Sequence, residues 1–328
     1  MSVTSGVARK HDGTAIDYVS IFNWADGKCI AQVIPDEAGN WSYEHFTALR
    51  VGIAYIADGC APITHGAYDF IPEVINPADL FVEHTGLWFD AADAASITIV
   101  DNKISVWNDK SNGAQHASQS NASLRPTYDS VNKGVVATGL GEALKGTFNA
   151  IASEKINEYT MYAVVSPIKT TASTSSESNS GAVFYERDHQ HNVFFEAKTA
   201  NTARVSPVFS ATTQSFVATE TRSGIAPVNI SKRISMHGSG KVLLGVTRKN
   251  NAELSTRVFG ELASATSSST IAMGWDTFML PAQYTGDSKF NGSIHELLLI
   301  HNGVLGLDVI QKVEYYLASK WGITDKLV

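Results

Sequence analysis

The chain has 328 residues, of which 44% are hydrophobic and 17% charged, with a formal net charge of −7. That balance belongs to a folded chain rather than a disordered one, and the acidic net charge argues against a general nucleic-acid binder, whose affinity comes from basic groups neutralising phosphates. No stretch approaches the roughly 20 apolar residues of a membrane-spanning helix, which argues against membrane insertion.

The first residues, Met1 to Gly6, carry no basic region followed by an apolar run, so no conventional signal peptide is expected. Residues 16–22 and 28–34 are short runs rich in β-formers, separated by Asn23-Trp24-Ala25-Asp26-Gly27, whose Asp-Gly pair is a hairpin signal. A second turn is expected at Asp36-Glu37-Ala38-Gly39-Asn40, followed by strands at Trp41-Ser42-Tyr43 and at 51–57. Cys29 and Cys60 are too few for a disulfide scaffold or a four-cysteine zinc site, and their apolar neighbours predict buried thiols in a reducing compartment, with a disulfide between them as the alternative. This segment reads as a small antiparallel sandwich over residues 1–75, with Asn76-Pro77 as the boundary.

Residues 76–328 fit one large β domain. Strands are expected at 159–165, 182–186, 193–197 and 241–247, and the Ser/Thr-rich stretch 170–180 reads as an exposed loop. Phe290, Ile294 and Leu298 fall on even positions and are expected to share one face of a strand that Gly292 opens with a bulge or close approach. One helix is predicted near 308–321, where Val309, Ile310, Val313, Tyr316, Leu317 and Trp321 form an apolar stripe suited to packing across the sandwich. Asp308 favours its N-terminal end, and Gly322 suits a left-handed stop.

Two separated stretches carry a family resemblance. The first is Leu87-Trp88-Phe89-Asp90-Ala91-Ala92-Asp93 with Val106-Trp107-Asn108-Asp109-Lys110-Ser111, Gln115-His116-Ala117 and Arg125-Pro126-Thr127. The second runs from Phe290 to Ile300 and continues to Tyr316-Leu317-Ala318-Ser319-Lys320-Trp321-Gly322-Ile323. Together they resemble the concanavalin A-like, laminin-G-like jelly-roll domains of bacterial surface proteins and phage virion proteins, over roughly residues 80–325. The first 75 residues resemble a transthyretin-like or carboxypeptidase-regulatory-type sandwich through Ser5-Gly6-Val7-Ala8, Asp12-Gly13-Thr14, Gly39-Asn40-Trp41-Ser42-Tyr43 and Tyr55-Ile56-Ala57-Asp58-Gly59. The resemblance implies an all-β protein: a small sandwich followed by a concanavalin A-like jelly roll with a C-terminal helix.

It also implies a non-enzymatic virion protein assembled in the host cytoplasm, in which the N-terminal domain attaches to other virion proteins. The C-terminal domain would meet host-surface glycan, as a tail-fibre or receptor-binding component does. A homo-oligomer, a trimer by family analogy, is expected because many weak sugar sites on one particle gain avidity. A structural capsid or tail decoration without ligand, and a polysaccharide depolymerase, are the alternatives.

Candidate ligand residues are Asp188, His189, His191 and Asn192, expected at a hairpin tip spanning 186–192, where binding residues sit on rigid sandwiches. Trp275, Asp276, Tyr284 and Asp287 are the others: an aromatic ring packs on sugar C–H faces while a carboxylate accepts hydroxyl hydrogen bonds. A solvated loop is the plain alternative for each, as core packing is for Trp88 and Trp107. Calcium is carried as a candidate cofactor on Asp276 and Asp287, with Asp90, Asp93 or Asp188 as further oxygen donors. His189-x-His191 lacks a third ligand for zinc. A glycosidase would need two facing carboxylates; Glu186 and Asp188, with Glu196 after the turn, are the nearest approach, and no third acid completes the pattern.

Overall fold

The computed structural model describes residues 2–10, 13–23, 29–45, 50–57, 63–69, 75–138, 141–148, 158–167, 179–187, 191–199, 213–222, 225–235, 240–249, 253–266, 277–281, 291–301 and 303–327. It is an all-β protein in which every strand pairing among the described residues is antiparallel, with a short helix at Pro77–Glu83 and a longer one at Leu307–Trp321. The chain divides into two compact units: residues 1–75 with 306–319 and 327–328, and residues 76–305 with 320–326.

In the first unit, strands Cys29–Val33, Tyr18–Asn23, Arg50–Ile56 and Ile63–Asp69 form a four-stranded sheet in that order. Ser2–Val7 pairs separately with Asn40–His45. Alternation supplies the inner face: Val19, Ile21, Val51 and Ile53 are buried together with Trp41 from the two-stranded pair. The expected turn before Trp41 forms because Asp36 accepts the Asn40 amide (2.8 Å) and Gly39 takes φ 77°. Cys29 corrects the buried-thiol expectation. It is exposed and free, since it opens an edge strand where a register shift after Ile21 turns its side chain outward. Cys60 and the 24–27 turn lie outside the described residues.

In the second unit, the strand Asn291–His301 pairs along its length with Tyr159–Pro167. On its other side it pairs with Thr85–Asp90 and Gly134–Thr138. Val242–Lys249 extends this sheet beyond Tyr159–Pro167. Leu144–Thr147, Thr277–Leu280, Asn179–Arg187 and His191–Thr199 follow one another on the opposite wall, and Ala117–Ser118 with Lys103–Trp107 joins the two walls into one closed sheet. The core lies between the two: Leu87, Phe89, Met161, Leu244 and Leu297 from the first meet Leu144, Phe278 and Leu280 from the second. The Phe89 and Phe278 rings stand 5.8 Å apart, and Trp107, fully buried, lies 5.2 Å from Phe89. Each such side chain contributes about 1.5–3 kcal/mol by leaving water.

The shared face expected for Phe290, Ile294 and Leu298 is not what forms. Opposite Tyr159–Pro167, Val164 pairs with Glu296 while Val165 pairs with Ile294, so His295 is an extra residue in a β-bulge. The bulge reverses the alternation. Ile294, Leu297 and Leu299 enter the core, and Leu298 turns to the opposite face. Phe290 lies outside the described residues. The long helix forms as expected, Gly322 just beyond it takes φ 67°, and Ile310, Val313, Leu317 and Trp321 of its stripe are buried, while Val309 and Tyr316 are half-buried.

Candidate functional site

The bulge sets Glu296 directly opposite Asp90 on the neighbouring strand, both on the face turned away from the core. Two carboxylates side by side repel and lose hydration, and Glu296 has no exposed surface at all. The second unit answers with lysines and indoles. Lys320 Nζ reaches Asp90 Oδ1 at 2.8 Å and Glu296 Oε2 at 2.7 Å. Lys110 Nζ takes the other Asp90 oxygen at 3.0 Å and Asp93 at 2.9 Å. Trp88 Nε1 donates to Glu296 Oε1 at 2.9 Å, and Trp321 Nε1 donates to Oε2 at 2.7 Å. The Lys110 ammonium also lies 4.4 Å from the centre of the Trp88 ring, a cation–π contact.

Burial pushes the Glu296 carboxyl above its ordinary range, with the Asp90 charge adding to that and Lys320 opposing it. Asp93, near the surface, is held low chiefly by its hydrogen bond from Lys110.

A second polar knot holds the motif around Asp109. Its carboxylate accepts the Trp88 and Gln115 amides at 2.8 and 2.9 Å, the Ser111 amide at 2.9 Å and the Ser111 hydroxyl at 2.8 Å. His116 Nδ1 accepts the Asp109 amide at 3.1 Å, and Arg125 Nε donates to the Gln119 carbonyl at 2.8 Å. Around Asp109 the motif's polar groups are thus paired, while Gln115 Oε1 and Trp107 Nε1 are buried without a hydrogen-bond partner among the described residues. Trp88 and Trp107 are buried side chains of the scaffold.

Of the expected ligand residues, His191 and Asn192 lie among the described residues. Asp188, His189, Trp275, Asp276, Tyr284 and Asp287 lie outside them. His191 and Asn192 open the strand His191–Thr199, where they pair with Arg222 and Thr221. Glu186 and Arg187 end the preceding strand, paired with Phe278 and Thr277. Residues 188–190 of the tip expected over 186–192 lie outside the described residues. The carboxylates of Asp90 and Asp93, carried as further oxygen donors for calcium, take lysine ammonium groups and, at Asp93, the Ala95 amide. No group of three His, Cys, Asp or Glu placed to hold a metal ion occurs among the described residues.

Sequence reasoning gave Glu296 and Lys320 no role. The signal was present: Glu296 interrupts the apolar run Leu297-Leu298-Leu299-Ile300 at its start, and a charge there demands a buried partner.

No family model matches the chain, and no curated protein does. Among solved structures it is similar to the binding domain of botulinum neurotoxin serotype G (8% identity, TM-score 0.48, covering 71% of this chain and 51% of that one). It is similar also to the serotype D binding domain (8%, 0.45, 73% and 52%). A third is domain 4 of an extracellular arabinanase from Geobacillus stearothermophilus, in complex with arabinotriose (13%, 0.39, 71% and 98%). The chain spans about half the length of the neurotoxin domains. None of the three reaches a TM-score of 0.5, and the fold stands on the strand pairings themselves.

Proposed function

We propose that the chain is a glycan-recognising protein of a phage virion that works by binding rather than by glycosidic-bond cleavage. Its second unit would present loops to a host-surface glycan, and its first would hold it on the particle as part of a tail fibre or receptor-binding assembly. The observation that carries this reading is the fate of the motif carboxylates. Asp90 and Glu296 share one lysine and are 4% and 0% exposed. A glycosidase needs its carboxyl pair open to a sugar and a water. The recognisable residues therefore serve as scaffold, and recognition falls to what the scaffold displays. Display in several copies, a trimer by family analogy, would raise a weak sugar affinity through avidity.

The test uses the full chain on a glycan array and in competition with particle adsorption to host cells. Binding to defined glycans with blocked adsorption is the expected result. Absence of both favours a structural decoration protein. Release of reducing ends, lost on Glu186→Gln, favours a depolymerase. Density of the assembled particle would test the virion location and the copy number.

A further inference from the structure

On the outer face of the same sheet, the bulge residue His295 is buried and its ring lies 5.1 Å from Trp321. Its Nδ1 is 2.9 Å from the Lys133 carbonyl oxygen, which can only accept, so Nδ1 carries the proton. Burial first, and then the charge of Lys241, hold His295 below its ordinary pKa against the hydrogen bond to Lys133 and the Asp129 charge. The ring is therefore neutral at pH 7, and Nε2 accepts the Ser166 hydroxyl proton at 2.8 Å. Ser166 is half-buried, and its proton is committed inward. Its oxygen lone pairs are left as acceptors.

Lys241 stands beside it. It directly precedes Val242, the partner of Val165, so it neighbours Ser166 on the adjoining strand. Its Nζ lies 5.3 Å from the centre of the Trp321 ring. Lys110 and Lys320 each take two carboxylates, whereas Lys241 takes none among the described residues. Lys326 adds a second positive group nearby, its Nζ 3.5 Å from the Lys241 carbonyl oxygen. A half-buried lysine with no carboxylate partner among the described residues, next to a hydroxyl oxygen that can only accept, matches a ligand bearing an anion and a hydroxyl donor on one small frame.

We propose that Lys241 and Ser166 form a subsite for a carboxylated sugar such as a uronic acid, with Lys241 taking the carboxylate and Ser166 Oγ accepting a ring hydroxyl. His295 is a positioning residue that fixes the direction of the Ser166 proton. The inference rests on the glycan-binding reading and names its ligand class.

The experiment titrates the full chain with uronic-acid oligosaccharides and with the same oligosaccharides reduced at the carboxyl group. Wild-type protein should prefer the acidic form, with affinity falling as salt rises. Lys241→Gln should weaken the acidic form about tenfold, as loss of one charged contact does, and leave the reduced form unchanged. Lys241→Arg should retain most of the preference, and Ser166→Ala should weaken both forms. An unchanged melting temperature in each variant shows that the fold is kept. Neutral glycans bound without acidic preference, or an acidic preference untouched by Lys241→Gln, overturn the subsite while glycan recognition stands. Absence of any glycan binding overturns both.

Discussion

Replacing Lys320 by Met removes the ammonium that holds Asp90 and Glu296 together. Asp90 keeps Lys110, and Glu296 keeps its two indole donors, but Glu296, fully buried, loses the ammonium that stood 2.7 Å from it. Breaking a buried pair from one side costs about 3–5 kcal/mol. The Lys320 side chain is 22% exposed, which places the loss toward the lower end, about 3 kcal/mol. For a domain of this size that is roughly 6–12 °C in melting temperature. The deficit should also depend on pH. A carboxyl with a raised folded pKa is stabilising in its protonated form at low pH and loses that contribution as pH rises through the folded pKa. The variant should therefore lie closer to wild type at pH 5 than at pH 7.

Differential scanning calorimetry at both pH values measures this. The double variant Lys320→Met, Glu296→Gln should recover part of the loss, because the buried charge that Lys320 had balanced is gone. A melting temperature for Lys320→Met within 2 °C of wild type at pH 7, or a double variant no better than the single, refutes the reasoning.

His301 is buried and its pKa is pushed down to about 4 by desolvation. The folded ring is neutral, so its contribution is complete above the ordinary 6.5 and is lost as pH falls toward 4, a change of about 3 kcal/mol. His301→Gln should flatten urea midpoints between pH 7 and 4.5; parallel losses in both proteins contradict this. A Cβ on Gly86 would lie 1.8 Å from the Leu299 carbonyl oxygen, so Gly86→Ala should cost more than about 3 kcal/mol and disrupt pairing with Asn291–His301. An unaltered melting temperature would contradict that. Asp109→Ala leaves the Trp88, Ser111 and Gln115 amides without their acceptor and should cost about 2–4 kcal/mol. Hydrogen exchange at those three amides should speed up roughly tenfold or more, and unchanged protection would argue against it.

Much of the fold was legible because its signals are local. The runs at 159–165 and 241–247 alternate or are continuously apolar, and they form strands; Gly39 and Gly322 mark a turn and a helix stop that need positive φ. The candidate site was far less legible. Its acceptors and donors are ordinary residues in sequence, and Trp88 and Glu296 meet across 208 positions. Even within one strand, the face of Leu298 was misassigned, because a bulge depends on how three neighbouring strands register against one another.

Sequence alone determined the β character, the strand runs, the helix at the C-terminal end and the acidic balance, since each follows from side-chain size, spacing and charge along a short stretch. Only the tertiary structure decided that Asp90, Asp93 and Glu296 would be held by Lys110 and Lys320, that His295 would bulge, and that Lys241 would stand beside Ser166 with no carboxylate among the described residues. Charges act through space and through burial. Neither the distance between two ionic groups nor the water left around them can be read along a chain before it folds.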